Sequence, residues 1–242
     1  MKPEKSQVQF WHLYKMGGLS PALLSFVNAT GAQQMAFVRS LVKEKQQSEM
    51  GVLLTDLQTV VFDLETTGFY PRQGDEIISM GAVGIFGRSA QEVDSFHTLV
   101  NPNRVIPSHI EELTHITTPM VQNAPTLIEA LAQFFEFVKQ RTLIAHGSSH
   151  DKQFLKMALW KTSRAAFNHR LLDTMWIACK LHPSRHHFTL DDWLTYYGIP
   201  ISERHNALAD SRMTAKLWSS LLQELYTKRI DTLGDLYTFC AR

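Results

Sequence analysis

"VVFDLETTGF", residues 60–69, begins as a buried strand and then places two carboxylates, Asp63 and Glu65, where apolar side chains are expected. Residues two apart in a strand share a face, so Asp63 and Glu65 project together while Val60, Phe62 and Leu64 fill the other side. Two carboxylates about 4 Å apart repel by roughly 4 kcal/mol at an effective dielectric near 20. Either a proton or a cation must offset that repulsion, and converging hard oxygen ligands suit Mg²⁺ or Mn²⁺. Taken alone, a D-x-E pair fits an edge strand with solvated acids equally well.

Two further acids change the balance. In "SSHDKQFLKMALW", residues 148–160, Asp151 falls in a first helical turn and shares its face with Phe154, Leu155 and Ala158 at i+3, i+4 and i+7. In "HNALADSRMTAKLWSSLL", residues 205–222, the apolar stripe Met213, Leu217, Leu221 extends backward to Asp210. Asn206 reads as the N-cap of this helix, which puts His205 on the entering loop close to Asp210. Any one of these acids could simply cap or solvate a helix start; four acids and a histidine sharing that explanation is far less economical. Around them, "LQTVVFDL", "EIISMGAVGIFG" and "EVDSFHTLV" read as an antiparallel meander, after which helices alternate with short strands such as "TLIAHG". That order predicts an α/β chain with a mixed sheet flanked by helices.

The stretches "FDLETTG", "AHGSSHDKQFL" and "HNALAD", in this order and at these separations, resemble the three motifs of the DEDDh 3′-to-5′ exonucleases, the DnaQ-like group that includes the proofreading epsilon subunit of bacterial DNA polymerase III. The joining segments "NPNRVIPSHIEELTHITTPMV" and "FTLDDWLTYYGIP" are similar to their counterparts in epsilon-like proteins, and the resemblance covers residues 57–225. It implies a ribonuclease H-like fold with a central five-stranded mixed sheet. It also implies a function: removal of nucleotides from the 3′ end of single-stranded DNA with release of nucleoside 5′-monophosphates. RNA ends are the alternative substrate. An inactive nucleic-acid-binding module with the same fold is the rival of another class, and a phosphatase or small-molecule nucleotidase is a further one.

Carried over residue by residue, the resemblance implies that Asp63, Glu65 and Asp210 ligate a first Mg²⁺ or Mn²⁺, that Asp63 bridges to a second, and that Asp151 helps to hold the second. Two such ions can activate a water on one side of a phosphodiester and stabilise the leaving 3′-oxygen on the other. His205 is implied as the general base, a task within reach of an imidazole with an ordinary pKa near 6.5. Thr66, Thr67 and Gly68 border the implied pocket for the terminal nucleotide, and His115 and His146 join them as candidate substrate contacts. There are departures. The second motif commonly reads His-Asn-Ala-x-Phe-Asp, whereas Gly147 and His150 stand here in place of the asparagine and the aromatic residue. His115 stands where glycine is common.

Bulk properties bound the remainder. With 242 residues, 44% hydrophobic composition and a net charge of +1, the chain can build one sizeable core, and a general basic blanket for polyanions is excluded. Cys179 and Cys240 lack metal-ligand spacing and read as reduced thiols of a cytoplasmic protein. Pro21 interrupts the apolar stretch near the N-terminus, which argues against a signal peptide. Residues 1–56 read as a helical extension whose Trp11, Tyr14, Leu19, Leu23, Leu24 and Phe26 must pack, either on the chain's own catalytic domain or on a partner such as a polymerase. Residues 226–242 read as a short C-terminal helical segment. The "HPSRHH" cluster, residues 182–187, matches no standard ligand set and reads as a basic loop near the phosphate path. Lys152, Lys156, Lys161 and Arg164 recur along the Asp151 helix, as a solvated face or as a track steering a strand.

Overall fold

The structure is a computed structural model that describes residues 23, 25, 26, 29–43, 50–185 and 188–241. Of the expected helical extension, Trp11, Tyr14, Leu19, Leu24 and residues 44–49 lie outside these residues. In chain order the elements are α1 (Gly31–Lys43), β1 (Thr59–Thr66), β2 (Ile77–Phe86), β3 (Gln91–Leu99), α2 (Ser108–Thr114), α3 (Thr118–Val121), α4 (Leu127–Val138), β4 (Thr142–Ala145), α5 (Ser149–Ser163), β5 (Leu171–Asp173), α6 (Thr174–Leu181), α7 (Leu190–Tyr196), α8 (Ala207–Thr227) and α9 (Leu233–Ala241). The five strands form one sheet in the order β3-β2-β1-β4-β5. The β1/β2 and β2/β3 pairs are antiparallel, and β1/β4 and β4/β5 are parallel. This is the mixed sheet of a ribonuclease H-like fold, with helices on both faces.

The alternation in β1 divides the core in two. Val60, Phe62 and Leu64 pack with Phe134 and Phe135 of α4 and with Phe154 and Leu155 of α5. Leu23, Phe26 and the α1 residues Val38 and Val42 are buried in that same layer. Val61 faces the other way, with Val83, Ile144 and the Met213, Leu217 and Leu221 stripe of α8. Asp63 and Glu65 share the α8 face with Val61, as period two requires. The pairing of β1 with β4 covers only Thr59 to Val61. Beyond Val61 the strand runs on without β4 beside it, and the chain leaving β4 turns into α5. Asp63 and Glu65 therefore lie where the sheet opens at the centre, on the strand at which its pairing changes from antiparallel to parallel.

Gly81 brings the second layer close. It pairs opposite Asp63 across the β1/β2 ladder, and a Cβ built on it would stand 2.2 Å from the Ala207 carbonyl carbon and 2.3 Å from the Leu208 nitrogen. The first turn of α8 thus lies directly on the β2 backbone, where the Ser211 hydroxyl donates to the Gly81 carbonyl at 3.0 Å. Asn206 is the N-cap, its side chain accepting from the Ala209 N–H at 3.1 Å, so the predicted helix start is the observed one. Among the described residues no helix is long and apolar enough to cross a membrane.

A methyl group at position 81 must push two backbones apart. Gly81→Ala is expected to lower the unfolding free energy by about 1–3 kcal/mol, the usual cost of overpacking, and to move Asp210 away from Asp63. Urea denaturation checks the first effect, and Mn²⁺ titration of the folded variant checks the second.

Candidate active site

Three carboxylates converge at the end of β1. One oxygen each from Asp63, Glu65 and Asp210 lies within 4.8 Å of the others. Two come from the strand, and Asp210 comes from the first turn of α8, where the positive end of the helix dipole favours an anion. Asp151 arrives from the opposite layer, in the first turn of α5, and is buried. It flanks Asp63 without belonging to the three-oxygen cluster; the backbone N–H groups of Leu64 and of Asp151 itself favour the ionised form of its carboxyl.

Desolvation dominates the electrostatics. Burial first, then the charges of Asp151, Glu65 and Asp210, hold the Asp63 carboxyl well above the usual carboxylate range. Burial, followed by Asp210, pushes Glu65 up to about 8. Asp151 is pushed up to about 7, again mainly by burial, although the nearby backbone N–H groups of Asp151 and Leu64 pull the other way. Asp210 is raised by burial against the opposing pull of Arg204 and the His205 N–H. The donor set suits a hard divalent cation, and one oxygen tests the fit directly: Asp210 Oδ1 is buried with no hydrogen-bond partner, while Oδ2 accepts from the His205 N–H at 3.1 Å and pairs with Arg204. One oxygen is held by the protein and the other is left for a cation.

His205 sits in the left-handed region, φ 63°, immediately before the N-cap. His205 lines a cavity of about 220 Å³ together with Asp63, Glu65 and Asp210, closed by Leu64, His146, Leu190 and Arg204. The reading of the sequence missed Arg204. Its only signal is adjacency to His205, and its second partner, Asp191, lies on α7, where Nε donates to Oδ1 at 2.6 Å. The "FTLDDWL" segment thereby supplies a cap (Thr189), a wall (Leu190) and an anchor (Asp191) within three residues.

The remaining candidates fall in several places. His146 lines the cavity with both ring nitrogens engaged, Nε2 with the Phe188 carbonyl and Nδ1 with the Thr174 hydroxyl, each at 3.0 Å. Burial lowers its pKa, so the neutral ring donates from Nε2 and accepts at Nδ1, which makes it a brace between elements. Thr66, Thr67 and Gly68 form the turn after β1 and stand outside the cavity wall. The Thr66 hydroxyl donates to the Gly68 carbonyl at 2.7 Å, and the Thr67 hydroxyl donates to Asp75 and accepts from the Glu76 N–H. His115 is exposed at the C-cap of α2 with φ 57°, away from the cavity lining. Within "HPSRHH", His182 Nε2 lies 3.0 Å from both the Tyr197 hydroxyl and Glu224, and His186 and His187 lie outside the described residues. Lys152, Lys156 and Arg164 are exposed along α5, and Lys161 pairs with Glu76.

Comparison with known proteins agrees with this geometry. A family model described as exonuclease, of the RNase T type, matches residues 60–218. The chain belongs to the DnaQ-like family of DEDDh exonucleases. It is 33% identical over 185 residues to the DNA polymerase III subunit epsilon of Aquifex aeolicus, covering 76% of this chain and 89% of that protein. It is 34% identical over 177 residues to the PolC-type DNA polymerase III of Caldanaerobacter subterraneus, covering 73% of this chain but only 12% of the polymerase. The chain therefore spans a small fraction of the PolC-type relatives. Among solved structures, the nuclease domain of 3′hExo, a DEDDh family member bound to rAMP, superposes with a TM-score of 0.63 at 22% identity, covering 71% of this chain and 94% of that domain. This likeness shows that the exonuclease fold is shared.

The raised carboxyl pKa values carry a sign for stability. A carboxyl that binds its proton more tightly folded than unfolded stabilises the fold at low pH and loses that contribution as pH rises through its folded value. Without divalent metal, Glu65 and Asp151 should make stability fall between their ordinary values, 4.5 and 3.8, and their raised ones, about 8 and about 7. Each can contribute up to about 1.4 kcal/mol per pH unit. Thermal melts in a chelator across this range should show a shallower decline for Glu65→Gln than for the unaltered protein.

Proposed function

We propose that this chain is a metal-dependent 3′-to-5′ exonuclease that shortens single-stranded DNA stepwise and releases nucleoside 5′-monophosphates. The observation that carries the proposal is the Asp63, Glu65 and Asp210 cluster with Asp210 Oδ1 unpartnered, in a cavity that His205 also lines. Asp63, Glu65 and Asp210 would hold one Mg²⁺ or Mn²⁺, and Asp63 with Asp151 a second. When bound, the two ions supply a Lewis acid on either side of the phosphodiester. His205 takes the proton of the attacking water: it lines the cavity beside the acids, and its backbone N–H fixes it to Asp210. The Thr66–Gly68 turn and His146 shape the seat of the terminal nucleotide, with His115 as an outlying contact.

DNA is favoured over RNA by the relatives at 33–34% identity, which are named for DNA polymerase III. The same names support a polymerase partner, for which residues 1–56 are the proposed contact. Residues 57–225 are the proposed catalytic domain.

Time courses on matched 3′- and 5′-labelled DNA and RNA oligonucleotides test the reading. A descending ladder from the 3′ end, faster on DNA and dependent on Mg²⁺ or Mn²⁺, is expected; immediate internal cleavage would sink it. Asp63→Ala should abolish turnover while leaving metal-free stability equal or higher, because one of the mutually repelling acids is gone. His205→Ala should keep metal affinity and lower kcat by roughly 10²- to 10⁴-fold, the range for loss of a general base.

A further inference from the structure

Arg204 is a cation built into a wall of acids. Its Nε donates to Asp191 at 2.6 Å and its Nη1 pairs with Asp210 Oδ2. These carboxylates stand in the first turns of α7 and α8. Two helices therefore fix the guanidinium from two sides. It lines the same cavity as Asp63, Glu65 and His205, and it is close enough to Asp63 and Glu65 to favour their ionised forms.

An arginine carries five N–H donors in a planar fork. The two carboxylates engage Nε and Nη1, and the hydrogen bonds among the described residues include none from Nη2. A guanidinium anchored at Nε on one side and at Nη1 on the other still presents the Nη2 N–H groups between them, and such donors bind phosphate oxygens. The need for such a group follows from charge. A phosphodiester entering this cavity meets Asp63, Glu65, Asp151 and Asp210, and a fixed cation facing it offsets part of the repulsion without reorganising during the reaction.

We propose that Arg204 is a substrate-binding residue whose Nη2 edge hydrogen-bonds a non-bridging oxygen of the terminal phosphodiester and, after cleavage, the 5′-phosphate of the released nucleotide. The proposal rests on the exonuclease reading above and adds to it a phosphate contact supplied by the loop just before His205. Arg204 also holds Asp210, so the test must separate a contact with phosphate from an effect passed through the carboxylate.

Calorimetry on the full chain separates them, with dTMP, thymidine and Mg²⁺ alone as three independent titrants. Arg204→Gln should weaken dTMP binding in the presence of Mg²⁺ by roughly 10- to 100-fold, as for the loss of a hydrogen bond to a charged group, and leave thymidine binding unchanged. Its Mg²⁺ affinity should stay equal or rise, because a positive charge has been removed. Arg204→Lys should fall between, keeping the charge but losing the fork. Unchanged dTMP affinity in Arg204→Gln overturns the proposal, and so does a parallel collapse of Mg²⁺ affinity, which would place the effect in Asp210. If Arg204→Gln does not fold, Asp191→Asn carries the test: it releases the Nε anchor, and dTMP affinity should fall while thymidine affinity holds. A protein that produces the 3′ ladder yet fails these tests loses only Arg204; one that produces no ladder loses the exonuclease reading itself.

Discussion

Mutual repulsion among buried carboxylates is the constraint on which this structure turns. Asp63, Glu65 and Asp210 are brought within 4.8 Å, and at that range charges that water no longer screens well cost several kcal/mol. The scaffold holds them there with fixed, directional groups. The Leu64 N–H faces Asp151, the His205 N–H and Arg204 face Asp210, and the first turns of two helices present their positive ends. These offsets are incomplete, since burial still raises all four carboxyl pKa values. That residual is useful for a cation site, because a site whose charges were fully balanced by protein groups would bind no ion.

Position in the fold makes such a cluster mechanically tolerable. β1 is central in the sheet, with β2 along one side and β4 along the start of the other. The strand carrying the repelling acids is thus anchored by two ladders and two hydrophobic layers. Where β4 stops, the opened side of β1 admits the first turn of α5, while α8 settles on Gly81. Asp151 and Asp210 consequently approach the strand end from opposite faces of the sheet. No single helix could supply both, because the two belong to different cores.

How much of this was legible in the sequence follows from the range of each interaction. The period-two placement of Asp63 and Glu65, the helical phase of Asp151 and Asp210, and the Asn206 cap depend on neighbours within a few residues, and all were readable. Arg204 was not, because its meaning comes from Asp191, thirteen residues away on another helix, and a loop arginine has no periodicity to betray it. His182, just past α6, belongs with Tyr197, just past α7, and with Glu224 on α8, so its local cluster of histidines suggested a basic loop and hid the network. A helix over residues 31–47 could be read from the spacing of Val38, Leu41 and Val42, and α1 covers 31–43 of it, whereas its seat on α4 and α5 could not, since an amphipathic stripe does not name its partner.

The departures from the family pattern can be read at the same level. Gly147 replaces a common asparagine and has φ 62°, the left-handed region that glycine and asparagine both tolerate; the backbone conformation is what the position requires. Its N–H and that of Ser148 donate to Asp173 at 3.0 and 2.8 Å, which ties the turn before α5 to the end of β5. His150 replaces an aromatic residue and keeps a ring in its place: it packs on Phe154 at 4.7 Å and meets Phe69 edge-on at 5.8 Å, with Nε2 3.4 Å from the Thr66 hydroxyl. A ring at position 150 joins the turn after Asp63 and Glu65 to the helix that carries Asp151. His150 therefore couples the first and second acidic motifs through a ring with a polar edge. His115 follows the logic of Gly147 without its ease, holding φ 57° with a full side chain at a position where glycine would be unstrained. The side chain projects into solvent, so the cost falls on the backbone of α2 and leaves the acid cluster untouched.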